Sequence, residues 1–505
     1  MSPTQAERAP GPYRIVVAGG GTAGWMAAAA LARFFRNGAD IHLVESEAIG
    51  TVGVGEATIP QIRLFNDNLG IDEADFLRRT QGTFKLGIDF VDWRKPGERY
   101  FHGFGSLGRG LGILPFYQYW LRYRSEGGAL DLWEFAANNI AAQENRFGRL
   151  PSHVNGQPTG LSYAYHFDAG LYARFLRRIA EANGVRRTEG KIGSVAVNGE
   201  SGFIEALVME SGERVGGDLF IDCSGFRGLL IGEALGSGFE DWSAYLPCDR
   251  ALAVPCARVE PLLPYTRSTA REAGWQWRIG LQHRTGNGHV YCSDHMSDHK
   301  AAEILLGNLD GEALAEPLKL RFRAGKRRQM WKKNCVALGL AAGFLEPLES
   351  TSIHLVQSGI ARLLTLFPTH VFDGADIAEF NAQTDFEWEA VRDFIILHYR
   401  LNSRDGEFWR RCRDMAIPDS LAHKIELFES HARIVRHNSE LFNEISWLQV
   451  MYGQGLRPRA HHPLADQPTG EELALLIDAA SRQSRREAAM LPLHADFVRS
   501  TCLAG

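Results

Sequence analysis

The stretch RIVVAGGGTAGWMAAAALARFF at residues 14–35, continued by IHLVE at 41–45, decides the fold of this chain. The apolar run 14–18 predicts a short buried strand, the alanine-rich run to Phe35 a helix, and 41–45 a second strand. Between the first strand and the helix stands G-x-G-x-x-G, at Gly19, Gly21 and Gly24. Glu45 closes the second strand, 21 positions after Gly24. In such a βαβ unit the first glycine makes a tight turn, the second lets backbone approach a diphosphate, and the third lets helix pack on strand. Thr22 and Ala23 fall at the helix N-terminus, whose free N–H groups and positive dipole suit phosphates. Glu45 is placed to accept from ribose hydroxyls. The unit reads as a dinucleotide site made of Gly19, Gly21, Thr22, Ala23, Gly24 and Glu45. The bland reading is a glycine-rich turn without a ligand.

Outward from this unit the pattern stays α/β. Residues 165–180 predict an amphipathic helix, with Asp168 as its possible start. IEALVME from 204 and DLFIDC to 223 predict two strands around a Ser-Gly-Glu turn. Residues 275–293 predict a hairpin turning at Thr285–Gly288. Lys326, Arg327, Arg328, Lys332 and Lys333 form a basic run, read as a solvated face. Residues 376–500 are largely helical and rich in aromatics. No repeat is visible. The division expected is a core over 12–375, with nucleotide and substrate-sheet lobes interleaved, and a helical lobe over 376–505.

Composition narrows the function. Of 505 residues, 45% are hydrophobic and 23% charged, which fits a globular protein and excludes a disordered one. The net charge of −5 weighs against nucleic-acid binding. Seven scattered cysteines without a CxxC pair fit reduced thiols and no zinc site. His461-His462 lacks a third ligand at zinc spacing. The polar N-terminus and the lack of an apolar run of about 18 residues lead to the expectation of a cytoplasmic protein without membrane contact.

Seven motifs coincide: GGGTAGWMAA (19–28), GVGEATIP (53–60), GTFKLG (82–87), FHGFG (101–105), DCSGFRG (222–228), GWQWRIG (274–280) and GFLEPLESTSIHL (343–355). Together they resemble the flavin-dependent halogenases of the tryptophan-halogenase type, over most of the chain. The resemblance implies a Rossmann-like FAD domain of the aromatic-hydroxylase type, a mixed substrate-side sheet and a helical C-terminal lobe. It implies halogenation of an electron-rich, indole-like ring with reduced FAD, oxygen and chloride or bromide. A separate flavin reductase would supply the FADH2, and a homodimer is implied.

Site residues follow by match to those motifs. Free hypohalous acid, HOX, would attack methionine, cysteine and tryptophan everywhere, so it must be guided. Lys85 matches the lysine that does this; alone it would read as a snorkelling surface residue. Glu349 in PLEST matches the carboxylate that assists and accepts the ring proton, with Ser350 beside it. Its bland reading is helix capping. Glu346, three residues earlier, is the nearby confusion. Thr351 and Ser352 match the halide positions, although relatives usually carry glycine where Ser352 stands. Glu56, Ala57, Leu340 and Ile353 match flavin contacts. Trp275, Trp277 and Ile279 match a WxWxIP element whose proline is Gly280 here. His102 and Phe104 match residues that sandwich the substrate ring; Ser446-Trp447 matches a Ser-Trp of relatives, with Trp447 read either as lining the site or as core packing. Residues 425–451 contain no tyrosine, whereas tryptophan-specific relatives clamp the amino acid with paired tyrosines. The expected substrate is therefore indole or an indole derivative rather than free tryptophan. A flavin-dependent aromatic monooxygenase and a non-catalytic flavin-binding scaffold are the competing readings.

Overall fold

The computed structural model describes residues 12–49, 55–150, 153–154, 157–158, 160–369, 371–437 and 440–505. Gly53 and Val54 of the 53–60 motif, and the first eleven residues, lie outside them.

The predicted βαβ unit forms as strand Tyr13–Ala18, helix Thr22–Phe35 and strand Ala39–Glu45. The strand residues Ile15, Val17 and Leu43 are fully buried, as a parallel sheet covered on both faces requires. The run from Met26 to Leu31 is buried as well, so small alanines let the helix press close to the sheet. The six-stranded sheet runs Arg186–Glu189, Ala39–Glu45, Tyr13–Ala18, Leu219–Asp222, Cys335–Ala337 and Trp331–Lys332. Leu219–Asp222 pairs in parallel with Tyr13–Ala18, which brings the DCSG motif back beside the glycine loop.

The second layer is a seven-stranded sheet in the order Leu318–Arg321, Arg250–Ala257, Arg284–Tyr291, Gly274–Gly280, Thr266–Arg271, Gly87–Val91 and Arg99–Gly103. A small sheet has Ala164–Asp168 flanked by Gly55–Ala57 and Thr83–Lys85, and Gly55–Ala57 packs against the Gly274–Gly280 and Arg284–Tyr291 strands. From Gly374 onward every regular element among the described residues is helical.

Three expectations need correction. Residues 164–168 are a strand, because they pair with two other strands; the helix starts at Ala169, with the Asp168 side chain capping Leu171 N–H. The hairpin of 275–293 turns at 281–283, where Leu281 N–H donates to Arg284 O, and not at Thr285–Gly288. Gly288 is there for space: a Cβ would lie 2.0 Å from the Trp277 ring. Gly288→Ala should therefore destabilise the protein by roughly 1–3 kcal/mol, read from denaturant midpoints. The basic run is only partly solvated: Lys326 is buried and paired with Asp385 at 2.5 Å and Glu240 at 3.2 Å. All seven cysteines are unpaired.

Candidate active site

The glycine loop is a cradle that side chains would fill. Gly19 has φ +115°, and a Cβ there would lie 2.2 Å from the Cys223 carbonyl oxygen. A Cβ on Gly24 would lie 1.8 Å from Gly19 O, and one on Gly20 1.5 Å from Glu45 Oε2. Glu45 thus reaches back over the loop, a role for Gly20 that sequence reading missed. Its Oε1 accepts from Arg187 Nε at 2.5 Å. Helix Thr22–Phe35 begins after Gly21 with no side-chain cap, so its first turn is open to an anion. The Thr22 hydroxyl donates to Ala169 O at 3.4 Å. Gly339, with φ +63°, brings the turn carrying Leu340 against Ala23, where an added Cβ would stand 2.8 Å from Ala23 Cβ. Ile353 is buried in the first turn of helix Ser352–Thr365, and Glu56 and Ala57 lie in the small sheet. The loop, the open helix end and the returning acid fit the diphosphate and ribose of FAD. Gly24→Ala should weaken FAD binding roughly tenfold or more in a fluorescence titration.

Lys85 ends strand Thr83–Lys85 and is fully buried. Its Nζ donates to Thr58 O at 2.9 Å and to Ser350 Oγ at 2.8 Å, and lies 5.3 Å from the centre of the Phe104 ring. Burial pulls the ammonium down to about 7, against the opposing effect of Glu349. The sign has a consequence for stability. Below the folded value both states are protonated and the buried cation costs its full desolvation; the cost fades as pH rises toward the unfolded value near 10.5. The stability gap between Lys85→Met and wild type should favour the variant by a few kcal/mol at pH 6. It should shrink steadily between pH 7 and about 10.5.

Ser350 follows the turn Pro347–Glu349 with φ +60°, a left-handed conformation that serine adopts at a cost. That kink aims Ser350 at Lys85 while Glu349, beside it, takes different partners. Glu349 is 1% exposed. His102 Nδ1 donates to its two oxygens at 2.9 and 3.1 Å. His398 Nε2 stands 2.7 Å from Oε1, with its N–H direction off the hydrogen-bonding line. Burial pushes this carboxyl up, but His102 and His398 outweigh it and hold it at about 2. Glu346 lives elsewhere. It accepts from Trp275 Nε1 at 2.9 Å and Tyr399 OH at 2.5 Å, and burial lifts it to about 7. Trp275 of the WxW element thus supports Glu346 and not Glu349.

Thr351 precedes helix Ser352–Thr365, which has no side-chain cap. The Thr351 hydroxyl is buried without a partner. Ser352 is already helical and suits its backbone, so the departure from glycine costs no strain there. An uncapped helix end with an unpartnered buried hydroxyl is chemically an anion site.

Ring-shaped groups line the approach to Glu349. His102 lies 5.6 Å from Phe394 and 6.2 Å from Phe442, and Phe394 stacks on Phe442 at 3.8 Å. Trp447 meets Phe394 edge-on at 4.9 Å, and its indole N–H is buried without a partner. Gln449, two residues on, exchanges hydrogen bonds with Gly103 at 3.1 and 3.0 Å, tying the Trp447 helix to the His102 strand. Phe394, His398, Phe442 and Tyr100 escaped sequence reading. The four-residue spacing of Phe394 and His398 on one helix face was the only available signal. Among the described residues no group of three His, Cys, Asp or Glu could hold a metal ion, and no helix is long and apolar enough to cross a membrane.

Comparison with known proteins gives the family and the fold. The family model described as tryptophan halogenase matches residues 14–469. The flavin-dependent halogenase Xcc4156 from Xanthomonas campestris is 52% identical, with a TM-score of 0.95 over 98% of this chain and 99% of that one. The flavin-dependent halogenase BrvH from Brevundimonas sp. BAL3 is 46% identical, with a TM-score of 0.93 over 97% and 99%. Tryptophan 6-halogenase SttH from Streptomyces toxytricini is 35% identical over 91% of this chain and 93% of its own length.

Proposed function

The chain belongs to the tryptophan halogenase family, and from that premise we propose how its own residues carry out the reaction. It is a flavin-dependent halogenase acting on an indole-type ring with FADH2, oxygen and halide. When bound, reduced FAD consumes oxygen and converts halide to HOX. Gly19, Gly21, Thr22, Ala23, Gly24 and Glu45 hold the dinucleotide, and Glu56, Ala57, Leu340 and Ile353 complete its surroundings. Thr351 and Ser352 hold the halide, chloride or bromide.

The observation that carries the reading is the joining of Lys85 and Glu349, both buried, through Ser350. Lys85 donates a hydrogen bond to HOX and polarises the O–X bond. The ring carbon then takes X as the O–X bond breaks, and the departing hydroxide takes a proton from the Lys85 ammonium and leaves as water. Glu349, kept charged, accepts the proton that the ring loses. His102 and Phe104 hold the ring, and Trp447 lines the far wall.

The substrate is indole or a substituted indole rather than free tryptophan. The wall around His102 is aromatic, and 425–451 offers no tyrosine to clamp an amino acid. A competition assay with equal indole and tryptophan, an unrelated flavin reductase and bromide tests this by mass spectrometry. We expect bromoindole to exceed bromotryptophan by about tenfold or more, a difference of one methylene-linked polar group or two in recognition. Predominant bromotryptophan would overturn it. A homodimer in the cytoplasm completes the reading, and light scattering tests the dimer.

A further inference from the structure

Glu349 is held from two sides by imidazoles on different elements, His102 on strand Arg99–Gly103 and His398 on helix Gly374–Arg400. His398 has a partner of its own. Tyr100 precedes His102 by two residues, and its hydroxyl lies 2.7 Å from His398 Nδ1. The histidine ring is locked by packing. Phe90 stacks on it at 4.5 Å and on Tyr100 at 4.9 Å, while Phe394 meets it edge-on at 5.6 Å. Tyr100, His398 and Glu349 are all buried.

We propose that Tyr100 and His398 are a positioning pair for Glu349. Tyr100 fixes which His398 nitrogen carries the proton, and His398, 2.7 Å from Oε1, keeps the carboxylate charged. This rests on the role given to Glu349 above. Glu349 as a carboxylate only accepts, so Nε2, 2.7 Å from its Oε1, is the N–H nitrogen and Nδ1 is left to accept from the Tyr100 hydroxyl, which burial keeps protonated past neutrality. Burial also disfavours a charged His398, with Glu349 opposing. The pair therefore acts as an oriented dipole, as an orienting partner does for a catalytic histidine, with the roles reversed. The titratable groups facing His398 are Glu349, Tyr100 and His102; Lys85 makes no hydrogen bond to Glu349 but feels its charge, and it bonds Ser350, the next residue in the chain. Removing His398 takes away one of two holds that offset burial, so Glu349 should protonate at a higher pH.

An infrared titration of the purified protein between pH 4 and 8 reads this without turnover. His398→Leu should gain a carboxylic-acid carbonyl band that wild type lacks and that His398→Leu/Glu349→Gln does not show. His398→Gln, which restores an N–H, should lose most of that band, and Tyr100→Phe should show it weakly. The rate of halogenation relative to wild type should fall about tenfold from pH 8 to pH 6 in His398→Leu, and less in Tyr100→Phe. An unchanged carboxyl titration in both variants, or a pH-independent loss of rate with normal titration, overturns the inference. A wild type that forms no halogenated product sinks the proposed function instead, and the infrared result still decides the pair. Should His398→Leu fail to fold, Tyr100→Phe carries the same test while keeping the stack on Phe90.

Discussion

Replacing Lys85 with alanine is expected to lower halogenation by about a thousandfold or more while leaving FAD affinity unchanged. The effect is large because no other group stands in its place. Lys85 is fully buried, and its Nζ is held by Thr58 O and Ser350 Oγ. A water in the resulting space would keep hydrogen bonds but not a positive charge that HOX can lean on. Burial also brings the ammonium to about 7, where it can both donate a proton and recover it. The glycine cradle lies on other elements, so the dinucleotide should bind normally. The measurement is turnover with supplied reductase beside a flavin titration. Retained halogenation by pure Lys85→Ala protein would remove the lysine from the mechanism.

Glu349→Gln should cost about a hundredfold to a thousandfold in kcat, with KM for the ring nearly unchanged. The carboxamide keeps shape and still reaches His102, but it cannot accept the ring proton. It also loses the charge that two imidazoles hold in place. Glu346→Gln is the informative control. That side chain serves Trp275 and Tyr399 and touches neither histidine beside Glu349. Its loss should act on stability more than on kcat. Equal kcat losses from the two glutamines would contradict the assignment.

The nucleotide half of the molecule was legible because its signals are local. Glycine spacing, an apolar strand and an alanine-rich helix lie within about thirty residues, and each acts on its neighbours. The roles proposed for Lys85 and Glu349 come only through resemblance. Nothing in the composition around residue 85 distinguishes a buried lysine from a snorkelling one, and Glu346 has the same local look as Glu349. Their difference is made by groups far away in the chain, Trp275 and Tyr399 for one, His102 and His398 for the other. The errors have the same origin. Residues 164–168 carry a pattern that continues into the helix, yet pairing with Gly55–Ala57 and Thr83–Lys85 makes them a strand. Gly286 and Gly288 look like a turn, but both lie within strand Arg284–Tyr291, and Gly288 leaves room for the Trp277 ring. Lys326 sits in a basic run, and only Asp385 and Glu240 explain why it can be buried.

The central claim is that this chain halogenates a ring through Lys85, and one assay tests it most directly. Wild type and Lys85→Ala are incubated with FAD, an unrelated flavin reductase, NADH, oxygen, indole, bromide and catalase, and the products are weighed by mass spectrometry. The account predicts a bromine isotope pair on indole from wild type and none from the variant. Equal bromination by both proteins, or a hydroxylated product in place of a brominated one, would contradict it.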